Sequence, residues 1–344
     1  MSVISYKCPN CDGDLRFDPA AQKYKCEYCF SLFSEEELAA IQQGMQDEQE
    51  HKNENEAVIF TCPSCGAEIV TEETTAATFC YYCHNPVVLT GRLSGEFLPD
   101  QVIPFAIDKE TAIKKFLEHV QKKKFIPKAF FNKKQMESMT GVYFPYWMYD
   151  CDMKGTLEAE GTKIRIWMAG EEEFTETKFY HVAREGNISL KNLTREALRK
   201  ANHVLAEGIL PYNFAERKPF SMGYLSGFLA EKRDIEKDEL QQAMEQEMQE
   251  YGKDLLRETI NGYNGVTTRN CTLAGVKGNS SYVLLPVWTV TYKGRNGKIY
   301  YYSMNGQTGK ICGELPIAQG RIAVMSMAVG VAAFLLALLG GYFL

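Results

Sequence analysis

The spacing of hydrophobic residues predicts two amphipathic helices in the middle of the chain. Between Lys109 and Lys124, four apolar residues fall on one helical face: Ile113, Phe116, Leu117 and Val120. A second, longer helix is predicted to begin at a cap formed by Asp234. Its apolar stripe consists of Leu240, Met244, Met248, Tyr251 and Leu255.

Two aromatic segments predict β-structure. Gly141–Asp150 is rich in β-prone residues, and Ser281–Lys310 has the turn signals of a β-meander. Phe144-Pro145-Tyr146-Trp147 is similar to Leu285-Pro286-Val287-Trp288. We therefore expect two similar β-hairpin units in one α+β domain over residues 95–320, although two unrelated aromatic strands remain the alternative.

The residues from Ile322 to Leu344 carry no charge. As a helix they would measure roughly 34 Å, slightly more than the ~30 Å hydrocarbon core of a bilayer. This predicts a tail-anchored, single-pass transmembrane helix over 321–344 in the cell membrane. Because Arg321 precedes the segment, the N-terminal domains are expected in the cytosol. Small residues at Ala333, Ala337 and Gly341 would allow a homo-oligomer to form through this helix.

The N-terminus contains a sequence repeat, Tyr6–Phe33 and Phe60–Leu89. Each copy has Cys-Pro-x-Cys, then 14 residues, then Cys-x-Tyr-Cys. Zinc prefers four soft ligands in a tetrahedron, which two such turns supply. The spacing predicts two structural Zn²⁺ ions, with iron or a redox dithiol as alternatives. The predicted ligands are Cys8, Cys11, Cys26 and Cys29 for the first site, and Cys62, Cys65, Cys80 and Cys83 for the second.

The polar start of the chain carries no signal for export, so we expect reduced thiols rather than disulfides. The residue after the second cysteine of each Cys-x-x-Cys turn often needs positive φ, which favours glycine. Those positions are Asp12, Phe30, Gly66 and His84. We expect Phe30 to adopt a different local geometry and His84 not to bind metal.

Ser34 and Glu37 form a capping-box signature for a short helix with Leu38 on its apolar face. Residues 46–56 have no apolar side chain and are interpreted as a spacer. The predicted fold is therefore multidomain, with two small β zinc ribbons, an α+β soluble domain and a C-terminal transmembrane helix. The boundaries are 1–33 for ribbon 1, 34–57 for a helical acidic linker, 58–92 for ribbon 2, 95–320 for the α+β domain and 321–344 for the membrane helix.

The net charge of −6 gives no bulk attraction for nucleic acid. In ribbon 2, Arg92 stands against Glu68, Glu72 and Glu73, so nucleic acid is an unlikely partner and protein contact is favoured. Lysines crowd Lys114–Lys134, which is interpreted as a solvated face or a contact for an acidic partner or lipid. Nucleotide-binding and hydrolase motifs are absent, and the histidines are scattered, so no enzyme activity is expected.

The paired ribbons, together with Val102–Ala112, Gly141–Asp150, Pro219–Glu239 and Tyr282–Pro316, resemble the double zinc-ribbon, single-pass membrane proteins of Gram-positive bacteria. Such proteins carry transcription-factor-IIB type or primosomal replication-helicase labels. The resemblance implies a membrane adaptor whose partners are SPFH-type and phage-shock-type proteins. Two other functions stay open: a nucleic-acid-binding factor of the replication or transcription type, and a thiol oxidoreductase.

Overall fold

The computed structural model describes residues 3–4, 6–42, 59–62, 68–71, 74–80, 86–89, 92–123, 139–293, 299–314 and 319–342. The helices are α1 Glu35–Gln42, α2 Lys109–Gln121, α3 His203–Gly208, α4 Lys237–Glu258 and α5 Gln319–Tyr342. The strands are β1 Val3–Ile4, β2 Leu15–Asp18, β3 Lys23–Cys26, β4 Leu32–Phe33, β5 Ile59–Thr61, β6 Glu68–Val70, β7 Thr75–Phe79, β8 Pro86–Leu89, β9 Gln101–Val102, β10 Thr140–Ala169, β11 Glu172–Glu196, β12 Lys218–Pro219, β13 Leu229–Glu231, β14 Gly265–Lys293, β15 Ile299–Asn305 and β16 Ile311–Gly313.

The strands form one large mixed sheet and two small antiparallel sheets. The large sheet runs β1-β8-β7-β13-β10-β14-β15-β16, with β11 paired to β10 and with β9 joining β12 to β14. The small sheets are β2-β3-β4 and β5-β6. Strands β7 and β8 of the second cysteine repeat thus belong to the large sheet, where Ala77 pairs with Ala230 of β13.

This architecture corrects the predicted fold class. The prediction of two self-contained small ribbons beside an α+β domain and a membrane helix is wrong, because the chain is largely β. The physical reason is visible at β8, where every side chain from Pro86 to Leu89 is buried. An isolated hairpin would leave one face of such a strand in water, whereas a strand within a covered sheet hides both.

The chain divides into two compact units. Unit 1 comprises 1–144, 200–232 and 284–344, and unit 2 comprises 145–199 and 233–283. Strands β10 and β14 are long enough to contribute to both. The cysteine repeats lie in unit 1.

Unit 1 contains a hydrogen-bonded arrangement that links a tryptophan to the start of a helix. The indole N–H of Trp288 donates to the carbonyl of Ile107 at 3.0 Å. The next residue, Asp108, caps α2 by accepting a hydrogen bond from the backbone N–H of Thr111. The backbone N–H of Gly306 donates to Pro286 at 2.8 Å, and the carbonyl of Gly306 accepts from Ile107 at 3.0 Å.

Unit 2 contains the same arrangement built from different residues. The indole N–H of Trp147 donates to the carbonyl of Ile235 at 2.9 Å, and Glu236 then caps α4 in a capping box with Glu239. The backbone N–H of Ala197 donates to Pro145, and its carbonyl accepts from Ile235. The likeness of the two Pro-x-Trp segments therefore extends to their hydrogen bonds.

The predicted helices are found, with one shift of start. Helix α2 begins at Lys109 and buries Phe116 and Val120, as its spacing predicted. Helix α4 begins at Lys237 rather than beside Asp234, whose carboxylate instead accepts from the backbone N–H of Arg199. After the buried Met244 and Met248, the buried stripe of α4 continues through Gly252 and Leu256, not through Tyr251 and Leu255.

The capping box before α1 is confirmed. The backbone N–H of Ser34 donates to the Glu37 carboxylate at 2.6 Å, and the backbone N–H of Glu37 donates to the Ser34 hydroxyl at 3.2 Å. Leu38 is buried, as predicted. The proposed spacer 46–56 and most of the lysine-rich segment lie outside the described residues.

The chain's last helix, α5, corrects the predicted localisation. In the part of the chain that the structure describes, no helix is both long enough and apolar enough to cross a membrane. The prediction of a single-pass membrane helix over 321–344 is therefore wrong, as is the cell-membrane localisation that depended on it.

Candidate metal centre

Four cysteine side chains converge at one point of the first repeat. The Sγ atoms of Cys8, Cys11, Cys26 and Cys29 all lie within 4.8 Å of one another. Cys8 and Cys29 are 3.6 Å apart, and Cys11 and Cys26 are 3.5 Å apart. A tetrahedron of sulfurs with metal–sulfur bonds of about 2.3 Å has edges of about 3.8 Å, so the four thiols fit a metal ion.

The two Cys-x-x-Cys turns have the same backbone hydrogen bonds. Asp12 donates to the carbonyl of Cys8 at 2.8 Å, and Phe30 donates to that of Cys26 at 3.1 Å. Asp12 and Phe30 both have φ of 59°. The expectation that Phe30 would adopt a different geometry is wrong. Because each turn must aim two thiols at one centre, the turn imposes the left-handed backbone on whichever residue follows.

A glycine leaves room for the sulfurs. A Cβ atom on Gly13 would lie 3.2 Å from the Sγ of Cys26 and 3.3 Å from that of Cys11. Both distances are tighter than ordinary van der Waals contact. Gly13 therefore permits the close approach of the two turns that the cluster requires.

The thiols differ in ionisation because of their surroundings. Hydrogen bonding from Ser31, whose hydroxyl lies 3.2 Å from Sγ, lowers the pKa of Cys29 to about 6. A backbone N–H of Gly13 lowers the pKa of Cys11, but sharing of protons with Cys26 and Cys29 outweighs it and raises that pKa to about 12. Burial raises the pKa of Cys8. Four thiolates this close repel one another unless a cation lies between them.

The second repeat is partly described. Cys62 and Cys80 are buried with Phe60, Val87 and Leu89 in one cluster. Cys65 and Cys83 lie outside the described residues, so a second four-cysteine site stays a prediction. None of the described cysteines is in a disulfide.

Aromatic side chains hold ribbon 1 (β2, β3 and β4) against the rest of unit 1. Phe17 packs edge-on against Tyr24 at 5.6 Å and against Tyr224 at 5.2 Å between ring centroids. The hydroxyl of Ser226 donates to the carbonyl of Leu15 at 2.5 Å, and its own carbonyl accepts from Phe17 at 3.0 Å. The ribbon is therefore fixed to its unit by backbone and ring contacts as well as by its four cysteines.

An exposed apolar surface surrounds the second turn of ribbon 1. Tyr28 is 80% exposed, Phe30 is 70% exposed and Leu32 is 46% exposed. Their exposure was not predicted, because Phe30 was considered only for its backbone conformation, although apolar residues at positions 28, 30 and 32 are an alternating pattern that the sequence shows. Monomeric proteins rarely group large apolar side chains on the surface without a partner to cover them. We refer to Tyr28, Phe30 and Leu32 as the ribbon surface.

Two of the four cations of ribbon 1 are in ion pairs. Lys7 lies 2.8 Å from Asp14, and its hydrogen bond to that carboxylate raises the pKa of Lys7. Arg16 lies 3.1 Å from Glu27. Among the described residues of the ribbon, that leaves Lys23 and Lys25 outside an ion pair, with Lys25 over the Phe30 ring. Two such lysines are fewer than the clustered cations that phosphate backbones require.

Comparison with known proteins bears on the whole chain. A protein of Bacillus subtilis (strain 168), named uncharacterized protein YdjG, is 32% identical over 338 residues, which are 97% of this chain and 96% of the relative. The chain belongs to the YdjG family. Because the match spans nearly the full length of both YdjG and this chain, it is not confined to the cysteine repeats. No family model matches the chain, and no solved structure matches it.

Proposed function

We propose that the chain is a non-enzymatic zinc-ribbon adaptor that binds protein partners through the ribbon surface. The observation that carries this proposal is the exposure of Phe30. Its ring is 70% exposed although it occupies a left-handed position where glycine would be favoured. The ammonium of Lys25 lies 5.9 Å from the centroid of this ring, but most of the ring is still in water. Exposed aromatic side chains of this kind are common anchors of protein interfaces.

The metal proposed for the first site is Zn²⁺, with a second Zn²⁺ in the repeat that contains Cys62 and Cys80. All four groups at the first site are sulfurs, which would leave no coordination position for a substrate or water. A ribbon of this size buries too little apolar surface to fold alone, so the ion would supply folding energy. Iron or a redox role for the thiols stays the alternative chemistry.

The proposed partners are SPFH-type and phage-shock-type proteins. The resemblance to the double zinc-ribbon proteins of Gram-positive bacteria supports this choice. The paired charges beside Lys7 and Arg16 favour a protein over a nucleic acid. An interface centred on Phe30 would bury the three apolar side chains and leave the charge pairs at its rim.

The test measures binding of the full-length chain to a purified SPFH-type protein and to a purified phage-shock-type protein by isothermal titration calorimetry. We expect saturable binding to at least one of them. Phe30→Gly removes the ring while relieving the backbone, and it should weaken binding by about tenfold or more. Val204→Ser, a change at an apolar residue that is 74% exposed elsewhere in unit 1, should leave the affinity unchanged.

Three results would contradict the proposal. The first is no binding to either protein, and the second is equal binding by the wild type and the Phe30→Gly variant. The third is salt-sensitive binding of DNA or RNA by the full-length chain, which would instead favour the nucleic-acid-binding alternative. Elemental analysis of the same samples measures their metal content. It shows whether weaker binding by the Phe30→Gly variant comes from loss of the ring or from loss of metal.

A further inference from the structure

Unit 2 has a strand with one unpaired edge. Strand β11 pairs with β10 from Glu196 at one end to Glu172 at the other. Among the strands that the structure describes, β10 is the one partner of β11, so its opposite edge carries no strand there. Unpaired backbone N–H and C=O groups on such an edge are ready to pair with another extended chain.

A cleft lies beside this edge. It has a volume of ≈360 Å³ and is lined on the strand side by Arg184–Ser189. On the helix side it is lined by Leu255 and Leu256 of α4 and by Thr259, which follows the helix. A Cβ atom on Gly186 would meet no atom within 4 Å, so space is open next to the strand. This volume is near the lower end of the range for ligand-binding clefts, and it is enough for roughly one or two large side chains.

The two faces of β11 differ in chemistry at this point. Ile188 is buried toward the helix side, where Gly155 of the neighbouring strand approaches both Ile188 and Leu256. Asn187 and Ser189 are exposed on the other face. Because successive side chains of a strand point to opposite faces, a strand added to this edge would place alternate residues above Leu255 and Leu256, and the others in water beside Asn187 and Ser189.

Unit 1 shows how the outer edge of such a hairpin can be filled close to its tryptophan. There β15 occupies the place of β11, as the matching hydrogen bonds of Trp288 and Trp147 indicate. The outer edge of β15 is paired antiparallel with β16, which runs from Ile311 to Gly313. In unit 2 no described strand other than β10 pairs with β11, either at the equivalent end beside Trp147 or farther along the strand at Arg184–Ser189.

We propose that the edge of β11 between Arg184 and Ser189 binds an extended segment of a partner protein as an added strand. The segment would be amphipathic, with large apolar side chains inserted toward Leu255 and Leu256 and polar side chains facing outward. Leu255 is 42% exposed although it lines the cleft, so an apolar partner side chain would remove its surface from water. This surface lies in unit 2 and does not depend on the metal or on the ribbon surface.

The test uses the full-length chain and a panel of fluorescein-labelled hexapeptides of alternating sequence. Outward positions carry Thr, and inward positions carry Val, Leu, Phe, Tyr or Asp. We expect saturable binding of at least one apolar peptide by fluorescence anisotropy and none of the Asp peptide. Leu255→Glu should weaken binding by about tenfold or more, whereas the matched Leu98→Glu, at a leucine of unit 1 that is 49% exposed, should not.

Two further measurements separate strand addition from simple filling of the cleft. Peptide binding should slow amide hydrogen exchange in Arg184–Ser189 and leave β15 unchanged. Of two peptides N-methylated at alternate residues, one should lose binding, because only alternate N–H groups of an added strand face β11.

Failure of every apolar peptide to bind, equal binding by the Leu255→Glu variant, or unchanged exchange in Arg184–Ser189 would each overturn the proposal. So would a dimer of the chain, detected by light scattering without peptide, that Leu255→Glu dissociates. That result would assign the edge to a second copy. Phe30→Gly should not affect peptide binding, so failure here and failure of the proposed adaptor function can be told apart.

Discussion

The indole nitrogen of Trp288 lies 3.0 Å from the carbonyl oxygen of Ile107, immediately before the residue that caps α2. Trp288 is buried, so its N–H has little access to water. The bond fixes the start of a helix to a strand that is far away in sequence. Trp147 and Ile235 have the same relationship in unit 2.

Replacement of either buried tryptophan by phenylalanine should therefore destabilise its own unit. In Trp288→Phe the buried carbonyl of Ile107 loses its indole donor, and we expect a loss of about 1–3 kcal/mol in the free energy of unfolding. Trp147→Phe should cost a similar amount. Urea unfolding followed by circular dichroism measures both. Trp167, which is 41% exposed, is the control, and Trp167→Phe should change stability by no more than about 0.5 kcal/mol.

Loss of one cysteine of the cluster should remove one metal ion. Cys26 is fully buried at the centre of the site, so Cys26→Ser should lower the zinc content by about one ion per chain and open ribbon 1 to hydrogen exchange. Mass spectrometry of the metal content and of amide exchange measures the two effects. Cys271→Ser, outside the cluster, should change neither. Unchanged metal content in Cys26→Ser would argue against a metal at this site.

Phe30→Gly should stabilise the ribbon. A residue with a side chain costs roughly 1 kcal/mol at the left-handed φ of 59° that Phe30 adopts, and glycine does not incur this cost. Because the ring is largely exposed, little buried area is lost. Thermal unfolding measures the gain. Asp12→Gly, at the matching position of the first turn, should give a smaller gain because aspartate tolerates this conformation better.

Gly223→Ala should loosen the attachment of ribbon 1 to unit 1. A Cβ atom on Gly223 would lie 2.4 Å from the hydroxyl oxygen of Tyr24, whose side chain is buried. Such overpacking costs about 1–3 kcal/mol. A lowered melting temperature with unchanged metal content is the expected result. Gly186→Ala serves as the control, because an added Cβ there would meet no atom within 4 Å.

Features that depend on the spacing of nearby residues could be predicted from the sequence. The capping box of Ser34 and Glu37 and the buried stripe of α2 depend on residues three or four apart, and both are found. The convergence of the first four cysteines also followed from two short turns at a fixed spacing. In each case the physical constraint acts within a few residues or within two short turns.

Features that depend on distant pairing could not be read in this way. The entry of β7 and β8 into the large sheet depends on partners such as Ala230 for Ala77 and Val3 for Leu89, and no local pattern specifies them. The geometry of Phe30 was missed because residue preference is weaker than the constraint of two thiols aimed at one point. The outward-facing rings of the ribbon surface were missed because apolar residues in a strand pattern are ordinarily assigned to a core.

The pairing of β1 with β8 sets an order of events during synthesis. Val3 and Ile4 leave the ribosome before their partners Leu89 and Val88, which appear only after more than eighty further residues have been added. At roughly 5–20 residues per second this interval lasts several seconds, far longer than a loop needs to close. A metal ion would therefore have time to bind the first cysteine turns before β1 can pair, and the growing chain would then complete the sheet around a ribbon that is already formed.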